Sequence, residues 1–243
     1  MIRSFLHGFA QGPESWAAVA SSNDHCVLLP GHGGAPGDVR SFAEVATDLA
    51  AQLPPQGHLI GYSMGGRLAL AIALSNPDLV ARLTLISSHP GIADDESRRR
   101  RVASDERLAD DIVQRGIPWF VSHWENLPMW SSQQGLGPES LAEQRRIRAQ
   151  HLPHGLSAVL RRLGPGVMPN MWPQLGSLPM PVDIIVGELD HKYAAIGKEM
   201  AELLPNAIVH EIAAAGHNLV LEAPSQLVAI IESSPARPVE ATG

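Results

Sequence analysis

The stretch HLIGYSMGGRLALAI, residues 58 to 72, decides how this chain reads. An apolar, strand-like run enters a Gly-x-Ser-x-Gly pentapeptide centred on Ser63, and a helix-like run rich in Ala and Leu leaves it. Strand, sharp turn and helix around a serine make the setting of a nucleophile elbow, in which the hydroxyl stands exposed on the turn. Gly61, Gly65 and Gly66 fit that setting, because the turn brings backbone segments too close together for a β-carbon. The amide of Met64, at the start of the helix, then points toward any negative charge that develops on a bound molecule.

Two further residues complete the pattern, in the order serine, acid, histidine. Asp190 ends the sequence GELD after the apolar run VDIIV at 182 to 186, and His217 lies in AAAGHN after the strand-like AIVHEI at 207 to 212. Each also has an ordinary reading: Ser63 as a small residue in a tight turn, Asp190 as a helix N-cap, His217 as one of eleven histidines. Their order, and their shared place just past the carboxyl ends of predicted strands, favour a triad. In it Asp190 orients the imidazole and His217 takes the proton from Ser63.

Outward from this centre, strand-like and helix-like segments alternate, which implies a mostly parallel sheet covered on both faces. Strands are expected near 2–7, 25–29, 57–61, 82–87, 182–187 and 207–212, and helices near 13–20, 41–53, 64–75, 192–203 and 223–232. Ser41 with Glu44 three residues on reads as a capping box for the second helix. Between about 89 and 172 the alternation fails. That stretch is helical in pattern and rich in charge and Trp, and it is expected to be a cap inserted into a core formed by 1–88 and 173–235. Trp119, Phe120, Trp124 and Trp130 recur at near-helical spacing, which suits packing on the body below with one ring left to line a pocket. Residues 236–243 lack apolar periodicity and are expected to fray. In the first loop, His7, Gly8 and Phe9 follow the opening strand, and the Phe9 amide is the candidate second oxyanion donor beside that of Met64.

Composition agrees with a single enzyme domain. The chain has 243 residues and is 44% hydrophobic, enough for a large core. Its formal charge of −7 gives no reason to expect nucleic acid or an anionic membrane as partner. No apolar stretch has the length of a bilayer span, and MIRSFLHGFA enters strand-like sequence without a cleavable signal, so a cytoplasmic location is expected. The lone Cys26 falls in the apolar run CVLL and reads as a buried, reduced thiol. No internal repeat and no metal-ligand spacing is present.

LHGF at 6–9, LPGHG at 29–33, GYSMGGR at 61–67, GELDHKY at 187–193 and AGHN at 215–218 together resemble the α/β-hydrolase-fold superfamily. More narrowly, the chain resembles the 2-succinyl-6-hydroxy-2,4-cyclohexadiene-1-carboxylate synthases of menaquinone biosynthesis. The narrower signals are Arg67 directly after SMGG, the stretch FVSHWENLPMWSSQ, and Lys192–Tyr193 after the acid. The resemblance spans nearly the whole chain. It implies an α/β-hydrolase fold of about six strands with a helical cap, and a lyase that eliminates pyruvate from 2-succinyl-5-enolpyruvyl-6-hydroxy-3-cyclohexene-1-carboxylate with Ser63 acting as base and no acyl-enzyme. It also implies no cofactor or metal, and a small polycarboxylate substrate handled by a monomer or homo-dimer. The family's substrate-binding positions fall on Arg67, Arg101, Arg148, Tyr62 and Trp124; Arg101 is anchored by ungapped spacing to Trp124. A family histidine is replaced by Val220, the second residue after AGHN.

An arginine meets a carboxylate with two parallel hydrogen bonds, which suits these assignments. The competing reading is a solvated charged face. Of 18 Lys and Arg residues only Lys192 and Lys198 are lysine, and Asp94, Asp95, Glu96, Asp105 and Glu106 stand ready to pair with the run at 98–101. Two alternatives to the lyase use the same sequence: a carboxylesterase or C–C bond hydrolase with Ser63 as nucleophile, and a non-catalytic receptor on the same fold.

Overall fold

In the computed structural model, which describes residues 1–34 and 38–233, six strands form one sheet: β1 (Arg3–Leu6), β2 (His25–Val27), β3 (Gly57–Tyr62), β4 (Val80–Ile86), β5 (Val182–Gly187) and β6 (Ala207–Ile212). All neighbours are parallel, in the order β2-β1-β3-β4-β5-β6. The helices are α1 (Phe42–Ala50), α2 (Met64–Ser75), α3 (Asp95–Glu125), α4 (Pro138–Ala149), α5 (Pro153–Leu163), α6 (His191–Leu203), α7 (Leu219–Glu222) and α8 (Pro224–Ser233). The expected frayed tail at 236–243 lies outside the described residues, as do 234 and 235 of the expected core.

Strand alternation sends apolar side chains to both faces, and each face receives helices. Leu6, Leu59, Leu83, Leu85 and Ile184 pack against α1, α2 and α6 through Phe42, Leu68, Ile72 and Met200. Phe5, Ile60, Ile86 and Ile185 pack on the other face against Trp16, Leu219, Leu227 and Ile231. The capping box at α1 is present: the Ser41 Oγ accepts from the Glu44 amide at 3.4 Å and the Glu44 carboxylate accepts from the Ser41 amide at 3.0 Å.

Three local expectations change. The helix expected at 13–20 is a single 3₁₀ turn, Pro13–Trp16. β2 stops at Val27, because the Leu29 amide donates to His7 Nε2 at 3.1 Å instead of joining the ladder. Cys26 is only half-buried, since β2 is an edge strand; what burial it has pushes the thiol pKa up.

Between β4 and β5 the chain leaves the sheet to build α3, α4 and α5. α3 breaks at Gly116, whose φ of +79° is outside the helical region, and Pro118 follows. The second half of α3 carries Phe120, which is fully buried and clusters with Ile112, Ile117, Leu156 and Leu160 of these helices and with Ala10 of the loop after β1, so this apolar cluster ties the inserted helices to the body. Among the described residues, no helix is long and apolar enough to cross a membrane.

Candidate active site

Ser63 sits between β3 and α2 with φ +50° and ψ −107°, a region L-residues rarely occupy. Its amide donates to Ile86 O at 2.8 Å, and its carbonyl accepts from the Arg67 amide at 3.2 Å and Ser88 Oγ at 3.0 Å. The strain is thus held by strand, helix and the loop after β4 together. The glycine requirement is severe at Gly65, where a β-carbon would lie 2.1 Å from the Leu6 carbonyl oxygen.

His217 Nε2 stands 3.2 Å from Ser63 Oγ, and His217 Nδ1 stands 2.5 Å from Asp190 Oδ2. Asp190 is also the N-cap of α6, its other oxygen accepting from the Tyr193 amide at 3.4 Å. The two sequence readings of this residue therefore hold together, since one carboxylate caps a helix and aligns an imidazole. His217 is almost fully buried beneath the rings of Tyr193, Tyr62 and Trp130, with centroids at 4.6, 5.7 and 5.7 Å.

The loop carrying His217 is fastened by Glu222, which composition and spacing did not flag. Its carboxylate accepts from the Gly216 amide at 2.6 Å and the Asn218 amide at 3.0 Å, one on each side of the histidine. Gln133, from the insertion, donates to the same group at 3.4 Å.

Met64 is the first residue of α2, so its amide has no intrahelical acceptor. Phe9 lies between two anchored neighbours: the Gly8 amide donates to Gln11 Oε1 at 3.3 Å and the Ala10 amide to His32 Nε2 at 3.2 Å. His7 and His32 each accept a backbone N–H at Nε2, so both rings are neutral with the proton on Nδ1, which faces Gly8 O and Pro30 O respectively. Burial holds both well below the usual histidine range, His7 at about 4.

Ser63, Met64 and His217 face a partly open cavity of about 650 Å³ that residues of the helices between β4 and β5 also line. Asp190, Phe9, Tyr62, Trp124, Arg67, Arg101 and Arg148 border it as well, so the candidate triad, oxyanion and substrate-binding residues meet there. The aromatic residues divide: Phe120 is core, Trp124 and Trp130 line the cavity, and Trp119 stacks on His123 with the Arg115 guanidinium over its ring at 4.2 Å.

The three arginines differ in their partners. Arg101 donates to both oxygens of Asp105 at 2.8 and 2.9 Å and is 39% exposed, and Arg98 and Arg100 pair with Asp95 and Glu96 as the solvated-face reading expects. Arg148 is buried; it donates to Glu125 at 3.2 Å and Gln144 at 2.7 Å. Arg67 is buried too, yet its hydrogen-bond partners are the Leu163 carbonyl at 2.7 Å and the Met168 sulfur at 3.6 Å, with no carboxylate pairing among the described residues. Burial pulls its pKa down to about 10, which still leaves a full positive charge at neutral pH.

Sequence reasoning missed His89 on the same cavity, although it follows β4 just as Asp190 and His217 follow their strands. Among the described residues, no cluster of His, Cys, Asp and Glu is arranged to hold a metal ion.

A serine on a strained strand–helix turn, with its histidine and acid on later loops of one parallel sheet, is matched by a family model described as "Alpha/beta hydrolase family" over residues 5–230. The chain belongs to the alpha/beta hydrolase family. Within that family it is 36% identical over 231 residues, 90% of this chain and 84% of the relative, to a Bacillus subtilis (strain 168) protein provisionally named 2-succinyl-6-hydroxy-2,4-cyclohexadiene-1-carboxylate synthase. A Salmonella typhimurium protein carrying that enzyme name is 30% identical over 233 residues, 92% of this chain and 89% of its own. The solved structure of MenH from S. aureus superposes with a TM-score of 0.91 at 33% identity, covering 96% of this chain and 92% of that one. An alpha/beta hydrolase of more distant sequence, a Thermogutta terrifontis esterase, gives a TM-score of 0.80 at 24% identity, which is a likeness of fold.

Proposed function

We propose that this chain is a 2-succinyl-6-hydroxy-2,4-cyclohexadiene-1-carboxylate synthase, a lyase that eliminates pyruvate from 2-succinyl-5-enolpyruvyl-6-hydroxy-3-cyclohexene-1-carboxylate. The relatives' names supply the reaction, and the observation that carries it to this site is Arg67. A buried guanidinium with no carboxylate in direct contact is costly unless a ligand brings one; Asp105 acts on Arg67 only at longer range, and Arg67 faces the same cavity as the serine. A polycarboxylate substrate answers that charge; a neutral ester does not.

In this reading Ser63, deprotonated toward His217, removes the ring proton next to the succinyl carbonyl. The C–H electrons enter the ring as a new double bond, the existing ring double bond shifts by one position, and the C–O bond to the enolpyruvyl group breaks. Pyruvate leaves as its enolate and is protonated from the His217 side. Asp190 stabilises the imidazolium between the two proton transfers. Negative charge building on the succinyl oxygen is met by the amides of Phe9 and Met64. Arg67, Arg101 and Arg148 hold carboxylates, while Tyr62 and Trp124 shape the wall. The helices between β4 and β5 act as a cap that keeps bulk water from the reacting ring.

The test is pyruvate release from freshly made precursor, compared with Ser63→Ala and with cleavage of a p-nitrophenyl ester. Rapid Ser63-dependent pyruvate formation with feeble ester cleavage is the expected result. No pyruvate above the spontaneous rate, with good ester turnover, would make this chain a hydrolase.

A further inference from the structure

His89 is a built hydrogen-bond donor that the triad does not use. It stands two residues past Ser87, where β4 has ended, in the turn His89-Pro90-Gly91. Three contacts fix that turn to the segment returning from the helical insertion. The Pro90 carbonyl accepts from the Met171 amide at 2.7 Å, the Gly91 carbonyl accepts from Trp172 Nε1 at 3.1 Å, and Gly91 has φ +112° with Pro169 O so close that a β-carbon would lie 2.6 Å from it. The turn then aims the Gly91 amide at His89 Nδ1, 3.1 Å away.

That single contact determines the ring's chemistry. A nitrogen that accepts an N–H carries no proton, so the neutral ring holds its proton on Nε2. Nε2 has no acceptor among the described residues, and the ring borders the cavity that holds Ser63. The alternative state, a charged imidazolium, is suppressed: burial first, then the neighbouring charges of Arg67, Lys192 and Arg101, bring the pKa to about 3. His89 is therefore a donor at Nε2 throughout the working range and cannot serve there as a general base. Tyr193, whose ring centroid is 6.0 Å away and which also stacks near His217, fixes the ring's other side.

We infer that the Nε2–H of His89 donates to an oxygen of the substrate carboxylate held by Arg67, so that this anionic group is bound by one charged fork and one neutral donor. This rests on the polycarboxylate reading given above. The division of labour is chemically sensible: a second cation would add desolvation cost beside Arg67, whereas a neutral N–H occupies the remaining lone pair without it.

The experiment uses the full chain with His89→Phe, which fills the ring's space without a donor, and His89→Gln, which returns an N–H near the position of Nε2. For the pyruvate-releasing reaction His89→Phe should raise KM by about 10- to 100-fold, the range for a hydrogen bond to a charged group, with kcat changed less and His89→Gln recovering part of the loss. Cleavage of p-nitrophenyl acetate, which brings no carboxylate, should lose far less than the pyruvate-releasing reaction does. Equal loss of both reactions, or no loss of either, overturns the inference. Succinate is the independent probe: it should inhibit ester cleavage by the wild type competitively and inhibit His89→Phe at least tenfold more weakly, roughly the lower end of that range. This arm reads His89 even if the wild type releases no pyruvate, in which case the lyase reading fails and the carboxylate clamp stands. Spectra of ¹⁵N-histidine-labelled wild type give a readout free of activity and of variant folding. Succinate should perturb the protonated Nε2 of His89, and an unmoved resonance at saturating succinate overturns the proposal.

Discussion

Arg67 belongs to the α/β body and Arg148 to the helical insertion, and the two guanidinium groups reach the same cavity equally buried. Arg148 arrives neutralised, with Glu125 at 3.2 Å and Gln144 beneath it, and Arg101 in α3 likewise arrives with Asp105. Arg67 arrives with a carbonyl and a sulfur. Arg101 and Arg148 of the insertion pair directly with its own carboxylates, whereas Arg67 of the body has no carboxylate in direct contact among the described residues, feels Asp105 only at longer range, and borders the same cavity as Ser63. A residue balanced internally supports its own fold. One left without a direct carboxylate partner is held in place by the fold and, in the function proposed above, is completed by a ligand.

The largest effect should come from the body. Ser63→Ala removes the proton acceptor and should lower pyruvate release by about 10²- to 10⁴-fold, the usual contribution of a positioned acid–base group, with near-wild-type binding of succinate. A lactate dehydrogenase-coupled assay measures it. Activity surviving in Ser63→Ala would move the chemistry away from the sheet edge and dissolve the comparison at its root.

Next comes Arg67→Met against Arg148→Met. Losing the body's cation should cost kcat/KM for the polycarboxylate roughly 30- to 1,000-fold, the range for stripping the partner from a buried charge. Thermal stability should hold or rise, because a desolvated cation with no carboxylate in direct contact has gone. Arg148→Met should lower the melting temperature instead, since it strips Glu125 of its buried partner and leaves it only the exposed Arg145. If both variants destabilise alike, the two arginines are both structural and the contrast is broken.

A pH scan sharpens the contrast from the side of the body. His7 and His58 lie under the sheet edge and within the sheet, and burial holds both near pKa 4 against 6.5 in the unfolded chain. A histidine with a depressed folded pKa gives its full stabilisation above the unfolded value. Between pH 6.5 and 4 the unfolded chain binds more protons, so stability falls as pH falls through that window. Each of the two should add a slope of about 1.4 kcal/mol per pH unit near its middle. Denaturant melts of wild type and His58→Gln at pH 7 and pH 5 test this: the variant should show the shallower dependence. Equal slopes would mean that the ring is not held neutral in the sheet.

How much of this was legible follows the same division. Ser63, Asp190 and His217 could be read because each is fixed by its own strand and the turn after it, and Ser41–Glu44 could be read because a capping box is four residues long. The chemistry of Arg67 could be suspected from its place after SMGG, but its want of a carboxylate depends on Leu163 and Met168, about a hundred residues away. Glu222 holding the His217 loop, and His7 ending β2 early, are contacts of the same long-range kind. His89 was within reach, since it too follows a strand end, yet its neighbours are serine and proline and carry no catalytic pattern. Pairing state, unlike position, is a property of the folded neighbourhood.

The smallest effect should fall on Arg101, and it tests whether a paired cation in the insertion can still serve the substrate. Its side chain is 39% exposed and borders the cavity, and only its Nε donates to Asp105, shared between the two oxygens, so the terminal nitrogens are not used in that pair. Solvent screens such a group, so an interaction of roughly 0.2–1 kcal/mol is the expectation, a change in kcat/KM of less than about tenfold. Arg101→Gln should therefore raise KM modestly and leave kcat alone. Its loss should steepen with falling ionic strength, because only an exposed charge responds so directly to salt. Asp105 supplies the control. It is buried, and desolvation already pushes its carboxyl pKa up. Removing Arg101 should push it higher and let it protonate, so the variant folds with a neutral acid where an ion pair stood. A salt-independent loss as large as that of Arg67→Met would instead place Arg101 in full contact with a carboxylate. The insertion would then share the body's unbalanced charge, and closure of the helices over substrate would be part of assembling the site.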